Sequence, residues 1–148
     1  MLKESPDHHD ADLILKIYDL RREAIMRESR AKLRVEFWPR NAEEAIAITR
    51  HEHPLNTAYR QVSTYWEMVY GMAHHGVIHP DFLIDNNAEG LTIFARIEPY
   101  LAEIRAATSP RSFHHTEWAA EHTEMGQRLM SIFRPRVAHE LAARKTRR

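Results

Sequence analysis

The segment from Tyr59 to Asn87 constrains the fold most, because a helix, its end and the start of the next helix can all be read in it. Its apolar residues follow a 3-4-3-4 spacing that places them on one helical face, namely Tyr59, Val62, Trp66, Val69 and Ala73. Gly76 follows at a position that favours a left-handed residue, and Pro80 suits the first turn of a new helix. The pattern predicts a core helix over about residues 56–75, followed by a tight corner and a second helix.

The first third of the chain has the pattern of one long helix, over residues 11–37, followed by a short one. Asp10 suits the N-cap of the long helix. The apolar stripe of that helix consists of Leu13, Ile17, Leu20, Ala24, Ala31 and Val35. Asn41 and Glu44 have the spacing of a capping box, which predicts that the short helix begins beside Asn41.

Two prolines interrupt the helical patterns of the second half. The helix that starts near Ala88 keeps its apolar phase across Pro99, so a kink is predicted there rather than a break. Pro135 is predicted to kink or break the last helix, which runs from about Thr123 towards Leu141. No alternation of apolar and polar residues reaches the length of a useful strand.

These patterns predict an all-α fold, a single-domain bundle of five to seven helices with a long N-terminal helix. Residues 1–9 are predicted to form a flexible leader, residues 10–143 the helical domain, and residues 144–148 a basic tail that frays. A length of 148 residues suits one domain that buries its own core.

Composition argues against several functional classes. The 21 basic and 21 acidic residues balance, which disfavours a dedicated nucleic-acid binder, although the arginine-rich first helix and the basic tail keep that role as a weaker alternative. The absence of cysteine excludes disulfides and thiolate metal sites and fits a reducing cytoplasm. No apolar run approaches the ~20 residues of a membrane span. We therefore expect a cytoplasmic protein with no cofactor and no membrane contact.

Several motifs resemble an uncharacterised family of bacterial helical domains. They are Ile17–Glu23 in the first helix, Tyr65–Met68 in the core helix, Gly76–Ile78 and Asp81–Leu83 at the corner, and Phe94, Ile97, Pro99, Tyr100, Leu101, Ile104 and Arg105 beyond it. The resemblance extends from about Asp12 to Arg105. It implies an all-helical fold, and it brings no established activity, catalytic residue or cofactor.

The eleven histidines are the most obvious candidates for chemistry. A metal site on helices needs ligands three or four residues apart on one face, often with a carboxylate among them. His114, Glu117 and Glu121 have that spacing, and His74 or His75 could add a ligand from another helix. Solvated or helix-capping histidines are the commoner explanation, and the sequence contains no HExxH or ExxH motif.

Glu67 is a candidate general acid–base group, because it adjoins Trp66 and apolar surroundings favour a protonated carboxyl group. The simpler interpretation is that Glu67 lies beside the apolar stripe and pairs with a basic residue. A Ser–His–Asp triad is not supported, since Ser63 lacks the glycines of a nucleophile elbow. An enzymatic role is therefore less favoured than a non-enzymatic one.

The first helix carries more apolar residues than one narrow stripe needs, including Tyr18, Ile25, Met26, Phe37 and Trp38. A helix that is apolar on more than one side is typical of burial against a partner chain, and homodimers are the commonest soluble assemblies. A central helix of a bundle would have the same composition. The function predicted from the sequence is protein–protein contact, with a homodimer favoured over another protein partner, and divalent-metal binding is the alternative.

Overall fold

The computed structural model describes residues 1–147, of which most lie in helices and none in a strand. In chain order the helices are α1 (His8–Arg21), α2 (Ala24–Glu36), α3 (Ala42–Ala47), α4 (Asn56–His74), α5 (Pro80–Asn86), α6 (Glu89–Ile97), α7 (Leu101–Ala107), α8 (His114–His122) and α9 (Glu124–Thr146). The predicted all-α, single-domain fold is confirmed. The helices are more numerous than the five to seven predicted, because two of the predicted helices are each divided.

The helix predicted around Trp66 is α4, and every residue of its predicted apolar face is buried. α4 packs against both α2 and α8 and therefore runs through the core. The predicted corner also forms, since Gly76 has a left-handed φ of 77° and Pro80 is the first residue of α5. The N–H of Val77 donates to the carbonyl of Met72 over 2.8 Å, which closes the end of α4 as a Schellman motif.

The predicted long N-terminal helix is divided at Arg22 and Glu23 into α1 and α2. The carboxylate of Glu23 accepts hydrogen bonds from the backbone N–H groups that follow it, over 3.0 and 3.1 Å, and acts as the N-cap of α2. Because of this break, α2 buries a different face from the one predicted for the second half of the long helix. Leu33 is buried, whereas Val35, which belonged to the predicted stripe, is 59% exposed. Glutamate is a good helix former, so its identity gives no sign of a helix boundary.

The predicted N-cap of the first helix, Asp10, is wrong, because Asp7 occupies that position. The side chain of Asp7 accepts from the N–H of Asp10, and the side chain of Asp10 accepts from the N–H of Asp7, which forms a capping box. Asp10 is fully buried, and its charge is balanced by the ammonium group of Lys3 at 3.0 Å. That pair ties Lys3, from the predicted leader, to α1.

The two prolines differ in their effect, because the predicted helix is divided at Pro99, where a kink was expected, but is not interrupted at Pro135. Pro99 lies in a 3₁₀ turn, Glu98–Tyr100, that joins α6 to α7, and α9 continues through Pro135 without a break. None of the helices in the described part of the chain combines the length and the apolar composition that crossing a bilayer requires.

The end of α9 packs against the end of α2 through Trp38. The ring of Trp38 lies under two guanidinium groups, that of Arg96 at 3.7 Å and that of Arg144 at 4.8 Å from its centroid. Arg96 is buried and donates to the carbonyls of Leu33 and Phe37, each over 2.9 Å, so it satisfies the C-terminal end of α2. Arg144, which was predicted to lie in a solvated tail, is thus part of the packed structure.

Candidate metal centre

The last turn of α4 meets the first turn of α8, and this junction brings three histidines together. His74 comes from α4, and His114 and His115 come from α8. One ligand nitrogen of each ring lies within 4.8 Å of the other two, and all three side chains are half-buried. Among residues 1–147, these are the histidine, aspartate and glutamate side chains whose geometry suits a shared metal ion.

The rings of His74 and His115 are already hydrogen-bonded to each other, with their Nδ1 atoms 2.9 Å apart. One ring must donate and the other must accept, so at least one of them is a neutral imidazole. In a tetrahedral site with metal–nitrogen bonds of about 2.0–2.1 Å, two ligand nitrogens lie roughly 3.3 Å apart. Replacing the shared proton with a metal ion therefore requires the two nitrogens to separate by about 0.4 Å and the two rings to turn towards the ion.

Ring stacking restricts the orientation of the cluster. The ring of Trp118 is nearly parallel to that of His74, at a centroid distance of 4.3 Å and an interplanar angle of 7°. His75 adds a fourth imidazole at the edge, with its ring 5.3 Å from that of His115. Because Trp118 covers one face of His74, this imidazole has few alternative positions.

The placement of α8 on α4 depends on Glu67. Its carboxylate accepts hydrogen bonds from the N–H of His115 over 3.0 Å and from the N–H and the hydroxyl of Thr116, each over 2.7 Å. N–H groups in a first helical turn have no partner within the helix, and a negative charge is favourable there. Glu67 therefore serves as the cap of α8 from another helix, since Phe113 at the N-cap position provides no side-chain bond.

Two backbone features permit this close junction. Phe113 has a left-handed φ of 59°, which is rare for a bulky residue. Gly71 leaves space for an imidazole, because a Cβ at this position would lie 3.1 Å from Cδ2 of His115. Glu67, Gly71 and His74 are spaced four and three residues apart and share one face of α4. That row of polar and small residues on a core helix is the signal in the sequence that could have indicated the site.

The environment lowers the pKa of two of the imidazoles. Burial disfavours the charged form of His74, and the neighbouring histidines add to the lowering of its pKa. Burial also lowers the pKa of His115, against the opposing effect of the Glu67 carboxylate. Neutral imidazole is the form that binds metal ions, so these shifts favour the ligand form at neutral pH.

In metal-free protein, we expect the melting temperature to fall as the pH decreases from 7.5 to 5.5. Folded His74 and His115 bind protons less readily than they do in the unfolded chain, so protonation favours unfolding. The stability associated with the neutral histidines is fully present above about pH 6.5, and it is lost as the pH falls through their lowered pKa values. The charged or titratable groups around the two rings are His75, His114, His122, Glu67 and Arg111.

Circular dichroism melts in the presence of a chelator measure this effect. A His74→Gln/His115→Gln variant should have a flatter dependence of melting temperature on pH. The same slope in the variant and the original protein would refute the assignment of this effect to the cluster.

The structure brings together part of the metal set predicted from the sequence. His114 and His74 lie in the cluster, together with His115, which the sequence did not single out as a ligand. Glu117 forms an ion pair with Arg105 across the turn between α7 and α8. Glu121 is exposed on α8. The carboxylates in the predicted set therefore lie outside the group of converging nitrogens.

Three converging imidazoles suit a particular class of ion. Nitrogen ligands of this kind favour Zn²⁺, Cu²⁺ and Ni²⁺ over Mg²⁺ and Ca²⁺, which prefer oxygen. Three protein ligands also leave one tetrahedral position for water or another small ligand. The arrangement is therefore able to hold an ion and to keep it accessible.

The chain belongs to an uncharacterised domain family, because the family described as "Domain of unknown function (DUF4760)" matches residues 6–123. The predicted resemblance to an uncharacterised family is thereby confirmed. The matched region includes α1 to α8 and therefore contains the three histidines and Glu67. No curated protein and no solved structure matches the chain.

Proposed function

We propose that this member of the family binds one divalent transition-metal ion, such as Zn²⁺, through His74, His114 and His115. The observation that carries the proposal is the convergence of three ring nitrogens within 4.8 Å from two different helices. The rings are held in place by Glu67, which anchors α8, and by Trp118, which stacks on His74. Ligands whose positions are fixed by neighbouring groups lose little freedom on binding, which favours affinity.

We expect the metal-free protein to take up one equivalent of Zn²⁺ in isothermal titration calorimetry at pH 7.5. Co²⁺ should give the intense visible absorption of a tetrahedral nitrogen site, because three imidazoles and a water complete that geometry. A His74→Ala/His114→Ala/His115→Ala variant should lose the bound equivalent and the absorption. Lowering the pH to 5.5 should weaken binding, since protons compete for the same nitrogens.

The matched control is a His8→Ala/His9→Ala/His139→Ala variant, which removes three exposed histidines elsewhere. It should bind as the original protein does. A Glu117→Gln/Glu121→Gln variant tests the carboxylate set predicted from the sequence, and unchanged affinity is expected. If the carboxylate variant loses the ion while the His74→Ala/His114→Ala/His115→Ala variant retains it, the ligands are the carboxylates and the proposed set is incorrect.

Self-association is the second candidate function, and the apolar surface of α1 and the start of α2 favours it. Leu15 and Tyr18 lie three residues apart on one exposed face of α1, and Ile25 is exposed at the start of α2. Two of the apolar residues on which the predicted self-association was based pack within the protein instead. Phe37 is buried in the core, and Trp38 packs against arginines. The apolar surface available to a second copy is therefore smaller than the sequence indicated.

Sedimentation equilibrium should detect a dimer in the tens of micromolar range if this surface pairs. A Leu15→Ser/Ile25→Ser variant should then be monomeric, because it removes apolar area from the contact. A Leu2→Ser/Ile132→Ser variant changes exposed apolar residues elsewhere and should remain dimeric. A monomeric mass for the unmodified chain, or equal dimerisation of both variants, would exclude this second function.

A further inference from the structure

A separate cavity of about 270 Å³ is lined by Glu67 but by none of the three clustered histidines. It is enclosed by α4 and by two connections, the one after α3 and the one between α7 and α8. The lining residues are Thr49, His51, Tyr59, Arg60, Ser63, Thr64, Glu67, Thr108, Arg111, Ser112 and Phe113. Ligand cavities for drug-sized molecules start near 300 Å³, so this one suits a smaller molecule.

Two arginines at the cavity have no carboxylate partner. Within residues 1–147, the guanidinium groups of Arg60 and Arg111 form neither a hydrogen bond nor an ion pair with the protein. The carboxylate of Glu67 is the acidic group of the lining, and it is already bonded to three donors of α8. The positive charge at the mouth is therefore available to an anion, and guanidinium binds carboxylates and phosphates in two-point geometry.

The inner wall of the cavity is aromatic. The rings of Tyr59 and Phe113 lie 6.3 Å apart, and both residues are buried. Burial raises the pKa of Tyr59 to about 12, so its hydroxyl group is a neutral donor at physiological pH. Phe113 also has a left-handed backbone although it is not a glycine, and such strained positions concentrate at binding sites.

A larger cavity elsewhere in the protein differs in how its arginines are paired. It measures about 520 Å³ and adjoins Trp38. Its three arginines are paired, Arg40 with Glu44 and both Arg144 and Arg147 with Glu140. Lys145, which is exposed, forms no ion pair among residues 1–147. Arginines that are already paired attract an anion less strongly, so the smaller cavity, with two unpaired guanidinium groups, is the better candidate.

We propose that the cavity beside Glu67 binds a small organic acid, whose anionic group lies between Arg60 and Arg111 and whose apolar body packs against Tyr59 and Phe113. The proposal does not require the metal site to exist, because none of the three histidines lines this cavity. With the metal centre, the protein would have two sites beside α4, and Glu67 contributes to both, because it lines the cavity and also anchors α8.

Titrations monitored by ¹H–¹⁵N correlation spectra test the proposal with three probes, in the presence of a chelator. Benzoate has both an anionic group and an apolar body, benzamide lacks the charge, and acetate lacks the body. We expect benzoate to bind saturably with a Kd below about 1 mM, shifting amides around Ser63 and Ser112. Benzamide and acetate should each bind at least tenfold more weakly.

Variants then locate the site. Arg60→Gln/Arg111→Gln should weaken benzoate binding at least tenfold, whereas Arg27→Gln/Arg128→Gln, which removes two exposed arginines elsewhere, should leave it unchanged. Ser63→Phe should abolish binding by filling the cavity, with the helical circular dichroism spectrum retained. The His74→Ala/His114→Ala/His115→Ala variant should bind benzoate with the affinity of the original protein.

Three outcomes would each overturn the proposal. One is the absence of saturable benzoate binding at concentrations tenfold above the expected Kd. Another is equal affinity for benzamide, which would show that the charge plays no part. The third is unchanged binding by Arg60→Gln/Arg111→Gln, which would place the ligand elsewhere.

Discussion

Replacing Trp66 with alanine will lower the free energy of unfolding by about 3–5 kcal/mol. Trp66 is only 2% exposed, and its ring stacks on that of Tyr70 at a centroid distance of 5.6 Å. The backbone of α6 lies directly against these rings, since a Cβ on Gly90 would approach Cγ of Trp66 to 2.8 Å. Rigid neighbours on both sides leave little possibility for the cavity to collapse.

One term opposes this loss. The indole Nε1 of Trp66 is buried without a hydrogen-bond partner, so its removal recovers about 1 kcal/mol. The net loss still corresponds to a fall of roughly 10 °C in melting temperature for a chain of this size. Chemical denaturation of Trp66→Ala measures the free energy directly, and Trp66→Phe serves if the alanine variant does not fold.

Trp118→Ala is the matched control, because Trp118 is half-buried and packs at the surface against His74. It should lose less than half as much stability as Trp66→Ala. Equal losses in the two variants would contradict the assignment of Trp66 to the centre of the core.

The core helix could be predicted from the sequence because several local signals agree there. The apolar spacing of α4, the left-handed preference of Gly76 and the helix-starting preference of Pro80 each indicate the same boundaries. Signals of this kind depend only on neighbouring residues. The all-helical fold follows from the same kind of evidence.

The division of the N-terminal helix was not predictable in this way. Glu23 caps α2 only because the chain turns there, and the turn is set by the packing of α2 against α4 and of α1 against α5. Tertiary contacts override helix propensity at such a position. The N-cap of α1 was misplaced because aspartate, a favoured capping residue, occurs at both positions, and in the fold each aspartate side chain accepts from the backbone N–H of the other.

Only part of the candidate site could be predicted from the sequence, because its residues also come together through tertiary contacts. His114 was recognised on its own helix, but its partner His74 lies 40 residues earlier, and no local pattern sets the register of α4 against α8. That register is fixed by Glu67, whose carboxylate contacts backbone N–H groups rather than a side chain that a sequence motif would reveal. Spacing within α8 therefore favoured Glu117 and Glu121, whereas the fold brings His74 and His115 to His114.

Glu67 links the two proposed sites physically. Its carboxylate accepts hydrogen bonds from the first turn of α8, which carries His114 and His115. The same residue lines the cavity with Arg60 and Arg111. An anion bound between these arginines would lie close to the start of α8. Occupation of the cavity is therefore able to alter the position of the imidazoles through α8, and a comparison of Zn²⁺ affinity with and without benzoate measures this coupling.

Gly126→Ala will destabilise the protein by about 2–4 kcal/mol, even though alanine is favoured over glycine within a helix by about 1 kcal/mol. A Cβ on Gly126 would collide with the carbonyl oxygen of Ala119 and would lie 2.5 Å from the hydroxyl oxygen of Thr123. That oxygen accepts the N–H of Gly126 over 2.9 Å and caps α9. The turn from α8 to α9 cannot widen without losing this cap, and the obstructing carbonyl belongs to backbone rather than to a flexible side chain.

Gly71→Ala is the matched control, because its Cβ would meet the His115 ring, a side chain that is able to move. The two substitutions are chemically identical, and both glycines are buried in helices. We expect Gly71→Ala to change the unfolding free energy by less than about 1 kcal/mol, as measured by urea denaturation, while weakening Zn²⁺ binding through displacement of His115. A Gly126→Ala variant as stable as the original protein would show that the α8–α9 corner is looser than its close contacts indicate.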